Sequence, residues 1–371
     1  MPDEPAPPSP DPQPINPGPT PTGYQRTQGG GFKWVPPSAE ELSKLLPQYE
    51  VEALVGRGGM GAVYKGKQKA LDRSVAIKIL PPEVDAEDDS YTARFKNEAR
   101  IMARLEHPAI VPVYDFGEID ARAIAQGSAL APASAARTPQ ASEITSDQTD
   151  GSRPSAAAGG PAALPSGPSL HYFVMGFVDG TDVHQMIQSQ GRLPPEHALA
   201  ITAHVCDALA YAHKNGVIHR DIKPSNVLIN MDGQVKVADF GLAKVDDPSQ
   251  PSGLTKTGRA MGTPDYVAPE TLTLGMSVDG RADLYAVGVM LYQMLTGNVP
   301  RGMFTMPWVM IKEIDPRFDQ IVAKAMKYDR EERYASAGDI RRDLDAILTM
   351  PLVQADGQSS AAIPKQAVAQ D

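Results

Sequence analysis

The sequence predicts an α+β fold in which strands come first and helices follow, and two patterns carry this prediction. Between residues 49 and 80, three short stretches rich in Val, Ile and Tyr are separated by Gly-rich or polar turns, which is typical of strands. From about residue 184 to 350, apolar residues recur at helical spacing in five segments. A helix over roughly 89–105 and two further strands, IVPVYDFGEI and HYFVMGFV, lie between these regions.

Three segments are expected to lack structure, because each has too few large apolar residues to offset the entropy lost on ordering. They are a Pro-rich tail over 1–36, a low-complexity insert over 121–170 and a C-terminal tail over 351–371. The first is interpreted either as a plain tail or as a ligand for an SH3-like partner. The insert separates two predicted strands, and the cost of closing such a loop grows only logarithmically with its length.

Composition excludes some classes of function. The formal net charge of -10 over 371 residues argues against a general nucleic-acid binder. A single cysteine, Cys206, permits no disulfide within one chain, which fits a reducing compartment. The N-terminus lacks the pattern of a signal peptide, and no stretch reaches the roughly 18 apolar residues of a membrane span. We therefore expect a cytoplasmic protein with no membrane span.

A glycine-rich loop lies between the first two predicted strands. Gly56, Gly58, Gly61 and Val63 form the pattern G-x-G-x-x-G-x-V. Glycines let backbone amides approach phosphate groups where a side chain would collide. The strand–loop–strand context argues against a dinucleotide-binding fold, which requires a strand followed by a helix.

Lys78 stands in the apolar strand Val-Ala-Ile-Lys that follows. Burying a lysine is unfavourable unless it is paired, and Glu98 on the next predicted helix offers a partner. Such a pair would direct the ammonium group at nucleotide phosphates. The alternative is a solvent-facing lysine with an unrelated glutamate on the helix surface.

The most specific run is HRDIKPSN over residues 219–226, followed 18 residues after Asp221 by Asp239 in Asp-Phe-Gly. Phosphoryl transfer needs a carboxylate near the attacking hydroxyl, a cation on the moving phosphate and oxygen ligands for Mg²⁺. The carboxylate would come from Asp221 and the cation from Lys223. The oxygen ligands for Mg²⁺ would come from Asn226 and Asp239. A hairpin with turn residues would reproduce the whole string very rarely.

With Ala268-Pro269-Glu270 downstream, this order of motifs resembles the eukaryotic-type (Hanks-type) protein serine/threonine kinase family, bacterial branch. The resemblance covers about residues 49–349. Lys223 and the GTPDY segment over 262–266 are similar to the serine/threonine branch rather than the tyrosine branch. The family implies two lobes: an N-lobe (49–178), with a small antiparallel five-stranded sheet plus one helix, over a mainly helical C-lobe (179–349).

The resemblance implies a protein serine/threonine kinase of signal transduction that binds ATP and Mg²⁺, with Mn²⁺ as an alternative. Asp221 would orient the substrate hydroxyl, Lys223 would neutralise the moving phosphoryl group, and Asn226 and Asp239 would bind the metal. Contacts with ATP are implied for Val55, Gly56, Gly58, Gly61, Val63, Ala76, Lys78, Glu98, Met175, Gly176, Val178, Asp182 and Leu228.

Family position also implies structural roles. Asp283 would hold the catalytic loop, and Glu270 would form a buried ion pair with Arg333. An apolar spine joining the lobes would consist of Met102, Val113, His219 and Phe240. The alternative for those four residues is ordinary core packing, which is compatible with a spine.

Regulation is expected on the segment between Asp239 and Glu270. Arg220 precedes Asp221, and a buried cation there favours an anionic partner such as a phosphate. Thr255 and Thr257 resemble the double-threonine site of bacterial family members and would be autophosphorylated. A flexible loop that happens to carry threonines is the alternative.

Two rival functions remain at this stage. A pseudokinase scaffold would usually lack Lys78, Asp221 or Asp239, and this chain has all three. A small-molecule kinase would lack the complete segment that ends in Ala-Pro-Glu. The expected partners are protein substrates, with a homodimer for trans-autophosphorylation left open, and no nucleic acid.

Overall fold

A computed structural model describes residues 24–26, 32–58, 61–81, 96, 99–120, 169–240, 264–273 and 276–350. The strands in chain order are β1 (Tyr24–Arg26), β2 (Phe32–Trp34), β3 (Tyr49–Gly58), β4 (Gly61–Gln68), β5 (Arg73–Ile79), β6 (Val113–Asp120), β7 (Ser169–Gly176), β8 (Gly180–Asp182), β9 (Val227–Asn230) and β10 (Val235–Val237). The helices are α1 (Ala39–Leu45), α2 (Val183–Gln190), α3 (Pro195–Lys214), α4 (Arg281–Thr296), α5 (Pro307–Met310), α6 (Arg317–Ala325) and α7 (Ala337–Thr349). Lys96 and residues 99–102 are also helical, within the helix predicted over 89–105.

The first part of the chain forms a five-stranded sheet in the order β3-β4-β5-β7-β6. Each neighbouring pair is antiparallel, which confirms the predicted small antiparallel sheet. Helices dominate after residue 183, as predicted. They are joined by a second sheet, β10-β9-β8, which the sequence analysis does not predict because strands of three or four residues are too short to show an alternating pattern.

Two clusters of buried side chains stabilise these parts. The larger runs through the helices and includes the inner face of the small sheet, for example Ala76, Phe173 and Met175. The smaller covers the outer face of the small sheet, where Leu42 of α1 and Leu46, just beyond it, pack. Burial of an apolar side chain of this size stabilises the fold by about 1.5–3 kcal/mol.

The short helix α1 begins at a capping box. The Ser38 hydroxyl accepts a hydrogen bond from the backbone N–H of Glu41, and the Glu41 carboxylate accepts one from the backbone N–H of Ser38. A serine followed three residues later by a glutamate is the sequence pattern of this motif. Spacing of Leu42, Leu45 and Leu46 places three apolar side chains on the face that meets the sheet.

The N-terminal segment 1–36, expected to lack structure, contains the antiparallel pair β1–β2. Tyr24 pairs with Trp34 and Arg26 with Phe32, so the expectation does not hold for these residues. Aromatic residues favour strands, and the Trp34 side chain packs against the smaller buried cluster. The high proline content of the whole segment conceals this local pattern.

The insert expected over 121–170 is shorter by two residues, because Ser169 and Leu170 belong to β7. Asp120 of β6 pairs with Ser169 at one end of the hairpin, while Val113 pairs with Met175 at the other. Residues 121–168 and the tail 351–371 lie outside the described residues. Among the described residues, no helix combines the length and apolar character needed to cross a membrane.

Replacing residues 123–166 with a short Gly-containing turn is expected to leave the activity of the chain within about two-fold of the wild type. The two strand ends already lie side by side, so a short turn can join them. The two strand ends also lie about 20 Å along the strands from Met175, a residue predicted to contact the nucleotide, at roughly 3.3 Å per residue. Steady-state turnover of the shortened and full-length chains measures this, and loss of turnover in a variant that melts like the wild type would contradict it.

Candidate active site

The loop that carries the HRDIKPSN motif lies between α3 and β9, and Asp283 of α4 fixes its backbone. The Asp283 carboxylate accepts hydrogen bonds from the backbone N–H groups of His219 (2.8 Å) and Arg220 (2.7 Å) and from Nε2 of His213 (2.8 Å). Arg220 has φ of 67°, a left-handed conformation that costs about 1–2 kcal/mol. The bonds to Asp283 hold this conformation, which confirms the expected role of Asp283.

Asp283 is ionised despite being 1% exposed. Burial alone raises the pKa of its carboxyl group, but the hydrogen bond and charge of His213, with the charge and backbone hydrogen bond of His219, outweigh burial, so the pKa lies below its usual range. A carboxylate at this position can therefore accept three hydrogen bonds at neutral pH.

Asp221, Lys223 and Asn226 converge at the end of this loop. Lys223 Nζ donates to Oδ2 of Asp221 at 2.7 Å. Asn226 Nδ2 donates to the same oxygen at 3.0 Å and to the backbone carbonyl of Asp221 at 2.8 Å. The structure thus gathers three residues that the sequence predicts to act together, with a carboxylate and an ammonium group in direct contact.

A second charged pair joins β5, the central strand of the small sheet, to Asp239, which lies just beyond β10. Lys78 Nζ on β5 donates to Oδ2 of Asp239 at 2.6 Å, and the Lys78 residue is only 4% exposed. Burial raises the pKa of Asp239, but the charge and hydrogen bond of Lys78 outweigh it, so the pKa is lowered. Asp239 is therefore an anion, and Lys78 has the carboxylate partner that a buried ammonium group requires.

Hydrogen bonds to the backbone of Ala238 link the segments that carry the two charged pairs. The Ala238 N–H donates to the carbonyl oxygen of Asn226 at 2.9 Å, and the Ala238 carbonyl accepts from Nε2 of His219 at 2.9 Å. The His219 ring also lies 4.5 Å from the ring of Phe240. Since Ala238 directly precedes Asp239, the loop carrying Asp221 and the strand end carrying Asp239 are held in a fixed relation.

Strand register brings the residues predicted to contact nucleotide to one end of the small sheet. Gly56 pairs with Val63, which in turn pairs with Lys78. Ala76 pairs with Met175 on the neighbouring strand. Val55 on the edge strand β3 is 53% exposed, whereas Ala76 and Met175 are 8% and 7% exposed, so the part of this end that is open to solvent is the edge strand.

The glycine-rich loop has space on its surface. An added Cβ at Gly56 or Gly58 would meet nothing within 4 Å, whereas one at Gly61 would lie 2.1 Å from the carbonyl oxygen of Ile79. Gly61 also has φ of +126°, which only glycine adopts readily. The first two glycines therefore leave room for a ligand, while the third is required by the sheet itself.

The connection between the two parts of the fold carries Gly176, Val178 and Asp182. The Gly176 N–H donates to the carbonyl of Pro112 at 2.9 Å, and Val178 is partly buried against the larger cluster. Asp182 pairs with Leu228 in the second sheet. Its carboxylate also accepts from the Gln185 N–H at 2.9 Å and so caps α2, a contact that the sequence analysis does not predict.

Some predicted residues cannot be placed. Glu98, Thr255 and Thr257 lie outside the described residues. The expected pairing of Lys78 with Glu98 therefore stays a prediction, and so does the modification of the two threonines.

The expected ion pair of Glu270 and Arg333 is confirmed. The guanidinium donates to both carboxylate oxygens at 2.7 Å, and both side chains are almost fully buried. Of the expected spine, Met102 and Phe240 are buried in the larger cluster and Val113 packs against it. These contacts agree with an apolar spine and with ordinary core packing alike.

His213 is a site residue that the sequence analysis misses. It lies near the C-terminus of α3, and its ring nitrogen donates to Asp283. No motif marks this histidine, and an isolated histidine at a helix end is compatible with many surface roles. Only the folded structure brings it to Asp283, which lies 70 residues away in the chain.

The donor set fits a magnesium ion. Asn226 uses its amide nitrogen on Asp221, so its amide oxygen is the end available as a ligand, and Asp239 supplies an ionised carboxylate. Oxygen ligands of this kind suit Mg²⁺, which usually takes one or two protein ligands and completes its shell with phosphates and water.

Comparison with known proteins agrees with this geometry. The protein kinase domain model matches residues 49–126 and 165–346. A probable serine/threonine-protein kinase of Streptomyces coelicolor is 36% identical over 323 residues, covering 83% of this chain and 41% of that protein. Serine/threonine-protein kinase PknB of Mycobacterium tuberculosis is 33% identical over 316 residues, covering 81% of this chain and 43% of that protein. The chain thus spans about two fifths of the length of these relatives.

Among solved structures, Rad53 residues 1–466 in complex with AMP-PNP matches with a TM-score of 0.54 and 20% identity, covering 80% of this chain and 65% of that one. At this identity the match shows a shared fold.

Proposed function

This chain belongs to the protein kinase family, and we propose that it transfers the γ-phosphoryl group of ATP to Ser and Thr hydroxyls of proteins. One observation carries the proposal: the Asp221–Lys223 pair and the Lys78–Asp239 pair lie on segments joined through Ala238. Together they offer a carboxylate for an attacking hydroxyl and cations for phosphate groups.

Asp221 orients the hydroxyl of the protein substrate and takes its proton as the phosphoryl group moves. Lys223, 2.7 Å from Asp221, stands where it can neutralise negative charge on that group. Asn226 holds the Asp221 carboxylate in place through its amide nitrogen. Most of the rate enhancement in phosphoryl transfer comes from such positioning and charge neutralisation.

Lys78 contacts the α- and β-phosphates of ATP, and the glycine-rich loop covers them. Asp239 and the amide oxygen of Asn226 hold Mg²⁺, with Mn²⁺ as an alternative ion of the same ligand preference. When bound, the ion would supply positive charge that stabilises the phosphates during transfer. Val55, Val63, Ala76 and Leu228 sandwich the adenine, and the backbone of 176–178 binds its edge.

Regulation of this activity extends the proposal. The chain phosphorylates itself at Thr255, Thr257 or both, in a second copy of the chain, and acts in cytoplasmic signal transduction. An added phosphate there would pair with cationic groups near the catalytic loop through charge-assisted hydrogen bonds.

Incubation of the purified protein with Mg-ATP, followed by mass spectrometry of phosphorylated sites, tests this function. We expect phosphate on Thr255 or Thr257 in the wild type and at least about a 1,000-fold lower rate in Asp221→Asn, since the substituted amide cannot accept the proton. Asp232→Asn, the same chemical change in an exposed turn, serves as the matched control and should behave as the wild type.

Absence of phosphate from all three proteins, and from an added basic protein substrate, would reject transfer and favour a pseudokinase scaffold. Equal phosphorylation of wild type and Asp221→Asn would show that Asp221 is not the catalytic carboxylate.

A further inference from the structure

The segment from the last residue of β2 to the end of α1 runs from the glycine-rich loop to the outer face of the small sheet. We define residues 34–46 as the strap; it precedes the matched kinase domain, which begins at residue 49. At one end the strap leads into Leu42, Leu45 and Leu46, which are buried on the sheet. At the other end Trp34 packs against the same cluster.

Two side chains of the sheet bind the backbone of the strap. The Arg57 guanidinium, between Gly56 and Gly58, donates to the backbone carbonyl of Trp34. The Tyr64 hydroxyl of β4 donates to the backbone carbonyl of Pro37. The strap is therefore attached both to the body of the sheet and to the glycine-rich loop.

The described residues of the glycine-rich loop are otherwise held by backbone pairing with β4. The loop extends from β3, an edge strand that in the described part of the chain pairs with β4 alone. Beyond Val51, β3 is exposed at Glu52, Ala53, Leu54 and Val55, and its pairing is interrupted between Val51 and Ala53 and between Leu54 and Gly56. Interruptions of this kind bend an edge strand and weaken its hold on the sheet.

We propose that the strap holds the glycine-rich loop in position for ATP, with Arg57 as the positioning residue. An exposed, bulged hairpin samples many conformations, and ordering it on ligand binding lowers affinity. The bond from Arg57 to Trp34 restricts this sampling before ATP arrives. This inference rests on the proposed binding of ATP by the loop, and it assigns to a segment outside the matched domain a role in nucleotide affinity.

A thermodynamic cycle in the full-length chain tests the proposal, with binding of Mg-AMP-PNP measured by isothermal titration calorimetry. Arg57→Ala removes the hydrogen-bond donor, whereas Trp34→Ala keeps the backbone carbonyl but removes the ring that packs on the smaller cluster and holds that carbonyl in place. Each change should raise the Kd about five-fold, the change expected for one hydrogen bond of ordinary strength. The double variant should bind no more weakly than the weaker single variant, because both changes break the same connection. In turnover assays the KM for ATP should rise by the same factor while kcat stays unchanged.

Two matched controls are available. Lys69 also donates to a backbone carbonyl ahead of β3, that of Pro47 at 3.0 Å, but lies at the end of β4 remote from the glycine-rich loop. Trp308 is the second tryptophan and lies on α5. Lys69→Ala and Trp308→Ala should leave the Kd unchanged.

An unchanged Kd in Arg57→Ala would overturn the proposal. So would a double variant whose Kd rises by the product of the single effects, since Arg57 would then act on the nucleotide directly and not through the strap. Melting temperatures identify any variant that loses affinity by unfolding. If the chain binds nucleotide but transfers no phosphate, the proposed function is rejected and this cycle remains valid. If the chain is an active kinase and the two effects on the Kd multiply, only the role of the strap is rejected.

Discussion

Replacing Lys78 with methionine should lower the rate of phosphate transfer by about 100-fold or more, the size of effect seen when one preorganised charge or donor is removed from a site of developing charge. Methionine keeps much of the length and apolar character of the side chain, so packing in β5 is retained. The ammonium group that is 2.6 Å from Asp239 is lost. Initial rates with a basic protein substrate measure the change, and a rate within about three-fold of the wild type would contradict it.

Lys65→Met is the matched control for this change. Lys65 lies on the neighbouring strand β4, and its side chain is 38% exposed and paired with Glu52. Its removal takes away a surface ion pair, which contributes little. A comparable loss of activity in Lys65→Met would show that the small sheet tolerates no such replacement, and the assignment of Lys78 would then lose its support.

The Lys78–Asp239 pair also predicts how stability depends on pH. The pKa of Asp239 is lowered in the folded chain from its ordinary value of 3.8. The pair therefore stabilises the fold fully above that value, and its contribution is lost as the pH falls through the lower, folded-state pKa. The difference in unfolding free energy between wild type and Lys78→Met should accordingly shrink below about pH 4.

Sequence reasoning located the chemical groups of the site because their spacing is nearly unique to the family. Asp221, Lys223 and Asn226 lie within a few residues of one another, so one short loop gathers them. The pairing of Lys78 with Asp239 spans 161 residues. No local pattern specifies such a contact, and the pairing of Lys78 with Glu98 that the sequence predicts stays a prediction, because Glu98 lies outside the described residues.

Parts of the fold outside the motifs were harder to predict. The capping box at Ser38 revealed where α1 begins, but not that its leucines cover the sheet. The pair β1–β2 was missed because a Pro-rich average concealed a few aromatic residues. The bond from Arg57 to Trp34 depends on how a segment folds back over the loop, which only tertiary packing determines.

Replacing Arg333 with methionine should lower the free energy of unfolding by about 3–5 kcal/mol, because the change leaves the Glu270 carboxylate buried without a partner. Arg333 uses all five of its N–H donors: two bind Glu270, and three bind the carbonyls of Lys327, Arg281 and Tyr328. Urea unfolding measures the loss as a shift of the midpoint at constant slope.

Two further variants, measured by the same urea unfolding, separate the cost of burying the unpaired Glu270 carboxylate from the loss of its attraction to Arg333. Arg342→Met is the matched control, since the Arg342 side chain is 76% exposed and pairs with Asp339; it should change the unfolding free energy by less than about 1 kcal/mol. The double variant Glu270→Gln with Arg333→Met should be more stable than Arg333→Met alone, because it no longer buries a free carboxylate. If Arg333→Met cost no more than Arg342→Met, the pair would not stabilise the fold. If it costs the predicted amount, the ion pair stabilises the attachment of Glu270, at the end of the segment that carries Thr255 and Thr257, to the turn before α7.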